Sequence, residues 1–356
     1  MGRADVPRGV LIVRFGRLGD LLAVTPAIRA VRQALPEARI DVLTGELGRP
    51  ALATNPYVSG VHVLRTRRLP RMVNPERALL LRRLRRARFD TVFLLEGAER
   101  YRRLARELGG ARVYEYAAPG MAPGPNLAAR PGHEVDNSLA VVALAGIAAN
   151  GRHYDFPVGA AARDRAHESL SAAAVPDDAK IVGLHAGQYS HRRRRRPHRK
   201  QWPTERYVAL VRALLERGAD RVVLTGTRAE TRVNRDIARA SASPRVVDFA
   251  GATDDIEALG ALIERCALFV APDTGPAHLA AAVGTPLVAL FGPKTPDVMG
   301  PLGDEAKIRR LYLEPSGESA EERGGHHARM WAIGVEDVLA AIDELAAIDE
   351  RVLDGG

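Results

Sequence analysis

Strand–turn–helix units recur along the whole chain, and the recurrence starts twice. The first series opens at 10–15 (VLIVRF), a β-branched run followed by GRLGD and then by LLAVTPAIRAVRQAL, whose apolar residues fall at helical spacing. Strands are expected next at 38–43 and 61–64, an Arg-faced helix at 75–88 and a strand at 89–96 (FDTVFLLE). The second series begins with AKIVGLHAG at 179–187 and a helix at 203–217 that takes Thr204 as its N-cap. A strand at 221–226, a helix at 229–240, the strand RVVDFAG, a helix at 254–265, the strand ALFVAPD, a helix at 276–283 and the strand PLVALFGP follow, with a closing helix at 335–348. Strands alternating with helices of about 10–15 residues make parallel sheets covered by helices on both faces. The expected fold is therefore α/β, with two doubly wound halves and a seam at 150–176, where Gly, Pro and Ala thicken. In such sheets ligands sit at the carboxyl ends of the strands. Residues that carry chemistry are accordingly sought just after strands, and two such halves facing one another would enclose a cleft between those edges.

Composition narrows the class of protein. The longest run without charged or strongly polar side chains, 139–149, has eleven residues, against about 20 needed to cross a bilayer. The first residues hold Arg3, Asp5, Pro7 and Arg8 and make no secretory hydrophobic region. The single cysteine, Cys266, excludes an intramolecular disulfide framework and a multi-thiolate metal site. A soluble cytoplasmic protein is expected. Lys and Arg number 52 against 43 Asp and Glu, a formal net charge of +9, and the excess is concentrated. Fifteen Arg face five acids between 61 and 112, and 191–200 holds six Arg and one Lys. Such fields favour anionic partners, although a solvated Arg-rich face accounts equally well for the first cluster. Nucleic acid is not the expected partner. Aromatics make up 5% of the chain and none interleave the Arg run at 192–196, so stacking platforms are missing.

Four post-strand segments stand out. In GRLGDLL (16–22) paired glycines permit a tight strand-to-helix turn, and Asp20 falls in the first helical turn, where on spacing alone it reads as a cap. The G-x-G start of a dinucleotide fingerprint is absent, which disfavours a Rossmann oxidoreductase. In APDTGPAH, Asp273 ends a strand, Thr274 and Gly275 make the turn, Pro276 suits a first helical position, and His278 lies in the first turn. Free N–H groups at that helix start suit phosphate oxygens. The plainer reading has Asp273 as a cap and His278 as a surface histidine. The loop after 187 delivers Lys200 to Trp202 and Pro203, where a cation can neutralise a leaving diphosphate. In LTGTRAE, Glu230 opens the next helix, where it can accept bonds from ribose hydroxyls or simply face the helix dipole.

Taken in order, GDLLAVTPAIRAV, H-A-x(n)-K-Q-W-P, LTG…E, FAG, PDTGPAHLAAAVGTPLVALFGP and IGVEDVLAAI resemble glycosyltransferase family nine, the heptosyltransferases of bacterial envelope assembly. The resemblance spans about 10–348. It implies a GT-B architecture of two Rossmann-like domains facing across a cleft: an acceptor domain at 1–156, a nucleotide-sugar domain at 157–332, and a closing helix at 333–356 able to pack back on the N-terminal domain. It implies an inverting transfer without metal or cofactor, from ADP-heptose or another nucleotide-sugar donor to a phosphorylated, lipid-linked saccharide acceptor of the lipopolysaccharide core. By the same resemblance Asp20 is the general base. Lys200, Glu230, Asp273, Thr274, Gly275 and His278 bind the donor, and Gly19, Arg67 and Arg68 the acceptor. A monomer is expected, peripheral on the inner face of the cytoplasmic membrane.

Three departures bear on donor and acceptor. No cysteine cluster occupies 308–330, five Arg stand at 192–196, and Lys294 follows FGP where a small hydroxyl is common in relatives. The alternatives are a family relative with another nucleotide-sugar or an acceptor outside lipopolysaccharide, a nucleic-acid binder, and a non-catalytic binder. The intact set of Asp20, Lys200 and Asp273 argues against the last.

Overall fold

The computed structural model describes residues 7–65, 75–109, 111–117, 122, 124–128, 132–187, 200–253, 255–314 and 326–353. It divides into two compact units, Met1–Pro157 and Val158–Gly356. Arg67, Arg68 and the Arg run at 192–196 lie outside the described residues.

The N-terminal unit contains β1 (Gly9–Val13), α1 (Leu18–Leu22), α2 (Thr25–Ala34), β2 (Arg39–Thr44), α3 (Gly48–Leu52), β3 (Gly60–Val63), α4 (Pro75–Ala87), β4 (Thr91–Leu94), α5 (Glu99–Leu108), β5 (Arg112–Tyr116), β6 (Leu127–Ala128) and α6 (Glu134–Ala143). Its strands form one sheet in the order β3-β2-β1-β4-β5-β6, and every pairing is parallel. β1 is buried along its whole length, as a central parallel strand covered on both faces must be. Its Leu11 and Val13 pack with Leu84, Leu94, Tyr101 and Leu104 in the core beneath α4 and α5.

The C-terminal unit contains α7 (Ala160–Ala172), β7 (Ile181–His185), α8 (Thr204–Glu216), β8 (Arg221–Thr225), a 3₁₀ turn at Arg228–Glu230, α9 (Thr231–Ser241), β9 (Val246–Asp248), α10 (Ile256–Glu264), β10 (Leu268–Pro272), α11 (Gly275–Ala282), β11 (Leu287–Leu290), α12 (Pro296–Met299), β12 (Ile308–Leu311), α13 (His326–Ala332) and α14 (Val335–Ala346). The sheet order is β12-β11-β10-β7-β8-β9, again all parallel. Its core gathers Trp202, Tyr207, Leu210 and Leu214 around the strands. The closing helix α14 adds Val338, Leu339, Ile342 and Leu345 to that same core. It therefore packs on the C-terminal sheet, and the expectation of packing on the N-terminal domain is corrected.

Both sheets follow one plan. The first strand of each unit lies at the centre, the next two lie to one side and the remaining three to the other. The strand order reverses between β1 and β4 in one unit and between β7 and β10 in the other, and at such reversals the crevice outside the carboxyl ends admits ligands.

Candidate active site

The crevice of the N-terminal sheet is built by the turn after β1 and the residues after β4. Gly16 adopts φ +135°, and a Cβ there would come within 2.5 Å of the Asp20 side chain. The turn thus requires glycine at 16, because the carboxylate of Asp20 folds back over it. Asp20 Oδ2 accepts the backbone N–H of Arg17 at 2.8 Å, so the capping role read from the spacing is realised. Oδ1 accepts from Arg14 Nη2 at 3.3 Å, and the side chain stays 36% exposed, available to a reactant. Gly19 is buried within α1.

Arg14, Glu96 and Glu134 complete this site, and the sequence reading missed all three. Arg14 Nη1 donates to Glu134 Oε1 at 2.5 Å and to the Leu95 carbonyl at 2.8 Å. Glu96 Oε1 accepts the N–H of Phe15 at 2.6 Å, and Asn137 donates to the second Glu134 oxygen at 3.1 Å. Burial opposes the Arg14 charge, but Glu134, Asp20 and Glu96 outweigh it and hold the guanidinium above its ordinary value. Burial also pushes the Glu96 carboxyl above the usual range against the pull of Arg14, and Asp20 and Glu134 push it further. An arginine closing a core strand and an acid at a helix start were the available signals.

The C-terminal crevice gathers most of the expected donor residues. Lys200 Nζ forms an ion pair with Asp273 Oδ2 and donates to the Asp273 carbonyl at 2.9 Å. Asp273 directly follows β10, and Lys200 reaches it from the segment before α8. Thr274 is the N-cap of α11 in extended conformation, but its hydroxyl donates to the Pro272 carbonyl at 3.0 Å and caps nothing. Ala277 and His278 donate their N–H groups to the Thr274 carbonyl at 3.1 and 3.4 Å, and Pro276 has none. The expected array of free N–H groups is thereby reduced to that of Gly275, which has no partner among the described residues. The helix begins at Gly275, so Pro276 sits one position later than expected. His278 is buried, which corrects its reading as a surface histidine. Likewise α8 takes Pro203 as its N-cap, in place of Thr204.

Glu230 lies at the carboxyl ends of β7 and β8. It closes the 3₁₀ turn, where its Oε2 accepts the N–H and hydroxyl of Thr227 at 2.7 and 2.8 Å. Its carboxyl group presses on Gly187, where a Cβ would come within 2.4 Å of Glu230 Cδ. Beside it His185 is fully enclosed and bonds Thr225 Oγ1 at 3.3 Å. Burial keeps its imidazole below the usual range although Glu230 pulls the other way. Cys266 is buried and its thiol is pushed up to about 12, so it is no nucleophile. Among the described residues no group of three or more His, Cys, Asp or Glu is arranged to hold a metal ion, and no helix is long and apolar enough to cross a membrane.

Comparison with known proteins puts these two sites in context. Residues 77–324 match the family model of glycosyltransferase family 9 (heptosyltransferase). Lipopolysaccharide heptosyltransferase 3 of Escherichia coli is 26% identical over 339 residues, covering 92% of this chain and 96% of that protein. The glycosyl transferase family 9 structure from Veillonella parvula DSM 2008 matches with a TM-score of 0.79 at 21% identity, over 96% of this chain and 97% of that one. The structure of E. coli heptosyltransferase WaaC with ADP matches with a TM-score of 0.72 at 20% identity, over 95% and 100% of the respective chains. The shared fold is the GT-B type, with two Rossmann-like sheets in one chain.

Proposed function

The chain belongs to glycosyltransferase family 9, the heptosyltransferase family, and on that footing we propose that it moves a heptose from ADP-heptose to a phosphorylated lipid-sugar acceptor of the lipopolysaccharide core, inverting the anomeric carbon without a metal ion. The carrying observation is the group at the end of β10, where Lys200 meets Asp273 beside the open N–H of Gly275. Lys200 brings a positive charge to the end of β10, where the donor diphosphate is assigned. Together with the positive end of α11 it supplies the charge that a leaving diphosphate needs. Glu230, whose Oε1 lies beside Gly187, is assigned to the ribose hydroxyls on the resemblance.

In the N-terminal unit Asp20 acts as the general base. The acceptor oxygen attacks the anomeric carbon, its proton passes to the Asp20 carboxylate, and the bond to the β-phosphate oxygen breaks with its electrons leaving on ADP. Gly19, Arg67 and Arg68 are assigned to the acceptor on the resemblance alone. The acceptor is lipid-linked in this scheme, which requires a protein working at the cytoplasmic membrane surface. The outward face of α4 suits that task, since Leu79, Arg82, Arg83 and Arg86 are exposed on it at i, i+3, i+4 and i+7 spacing.

A thermal-shift panel of ADP, GDP, UDP and CDP tests the donor. A ligand at 100 times its dissociation constant stabilises by about 2.7 kcal/mol. A shift with ADP alone is expected, it should survive EDTA, and Lys200→Met should remove most of it. A shift with UDP or GDP alone would transfer the assignment to a relative using another nucleotide-sugar, the alternative favoured by Lys294 after FGP.

A further inference from the structure

We propose that Arg14, clamped by Glu134, is the positioning residue that aims the Asp20 carboxylate and sets its basicity. The inference rests on Asp20 being the base. One guanidinium reaches three places: Nη1 bonds Glu134 Oε1 at 2.5 Å and the Leu95 carbonyl at 2.8 Å, and Nη2 bonds Asp20 Oδ1 at 3.3 Å. Glu134 is itself fixed through its other oxygen by Asn137, whose amide also donates to the Gly132 carbonyl. The side chains of Arg14 and Glu134 are 8% and 9% exposed, while Asp20 is 36% exposed. A rigid interior pair therefore holds one oxygen of a solvent-facing acid, and the Arg17 N–H holds the other.

A bare capping aspartate needs none of this. Helix α1 has only five residues, and the backbone bond at Arg17 already closes its cap. The bond to Arg14 ties the carboxylate instead to α6, whose acid lies 120 positions from Arg14 in sequence. Charge accounting points the same way. The groups facing Asp20 are Arg14 from the end of β1, Glu96 after β4, Glu134 from the head of α6 and Arg17 from its own turn, and Tyr116 of β5 adds to the field on Arg14. Three carboxylates share one interior cation. Asp20 thus shares the Arg14 charge with Glu96 and Glu134, and a change in that sharing acts directly on the base.

The test is the pH dependence of kcat for donor and acceptor at saturation, read on the acid limb, where protonation of the base stops turnover. Glu134→Gln leaves the Arg14 charge to Asp20 and Glu96, so the acid limb should move to lower pH while kcat on the plateau falls several-fold. The double variant Arg14→Met/Glu134→Gln avoids stranding a buried carboxylate, and its acid limb should move to higher pH by about one unit. In both variants the ADP thermal shift should be unchanged, because the nucleotide residues lie in the other unit. Arg14→Lys should restore part of the position of the limb. Limbs that stay within about 0.3 units of the parent in both folded variants would overturn the proposal while leaving Asp20 as base. Near-normal turnover of Asp20→Asn would overturn both together.

Discussion

At residue scale the two sites depend on glycines that make room for carboxylates. Gly187 is the clearest case, since a methyl there would come within 2.4 Å of Glu230 Cδ and 2.5 Å of Oε1. Gly187→Ala should push the Glu230 carboxylate away from the loop after β7 and weaken nucleotide binding about tenfold, with little loss of fold stability, because the added methyl meets only the far end of the flexible Glu230 side chain. Isothermal titration with ADP measures the first effect and urea unfolding the second; unchanged ADP affinity would separate Glu230 from the nucleotide. Asp20, Glu230 and Asp273 were legible in the sequence because each follows an apolar strand closely, where a parallel sheet exposes its ligand edge, and Lys200 because it stands just before the Trp-Pro that leads into the next helix. Arg14 and Glu134 were not read, because an arginine at the end of VLIVRF and an acid in HEVDN are weak signals taken singly, and only the fold brings residues 120 apart into contact. The spacing marked both Gly16 and Gly19 as turn residues, and Gly16 is the one held at positive φ against Asp20.

At element scale, buried strands and their following helices were readable from apolar runs, and polar elements were not. The helix α5 (ERYRRLAREL) hides its stripe of Tyr101, Leu104, Ala105 and Leu108 among four arginines. The helix α7 occupies part of the stretch taken as a seam, because its small buried side chains Ala162, Ala166 and Leu170 give a weak periodic signal at i, i+4 and i+8. The strand β5, one in from the edge, and the edge strand β12 are short and half-buried, and so lack the apolar run that marks a central strand. The closing helix shows why an element can be recognised while its partner is not: amphipathicity reveals that α14 buries a face, and says nothing of which sheet receives it. Ile342 is fully buried on that face in the core shared with Trp202 and Leu210. Ile342→Ala should cost about 2–5 kcal/mol, read as a lowered urea midpoint of the transition that also reports Trp202 fluorescence. Loss of stability in a transition that leaves Trp202 unaffected would contradict the assignment of α14 to the C-terminal core.

At the scale of the whole molecule the outstanding property is charge, +9 overall, and its placement decides what it does. Many arginines of the described N-terminal unit pair with acids, as in Arg77 with Glu107, Arg102 with Glu115 and Arg29 with Asp155. Arg82, Arg83 and Arg86 differ: all three are exposed, and none pairs with a carboxylate among the described residues. They share one face of α4 with Leu79, which is 51% exposed, while Leu81 and Leu84 anchor the opposite face in the core. A stripe of unpaired guanidinium groups around an exposed leucine suits an anionic bilayer, where each basic residue is worth about 1 kcal/mol near the surface and long side chains extend to the headgroups. Replacing the three with glutamine should therefore weaken binding to vesicles by roughly 100-fold, since about 3 kcal/mol is lost and every 1.4 kcal/mol is tenfold. Sedimentation with vesicles of phosphatidylcholine containing a third phosphatidylglycerol measures this. The parent should bind in low salt and release as ionic strength rises, because the Debye length shrinks from about 30 Å at 0.01 M to about 10 Å at 0.1 M. Donor binding should be untouched in the triple variant, since its residues belong to the other unit. Equal vesicle binding by parent and variant would move membrane attachment away from α4 and leave its arginines as a solvated surface.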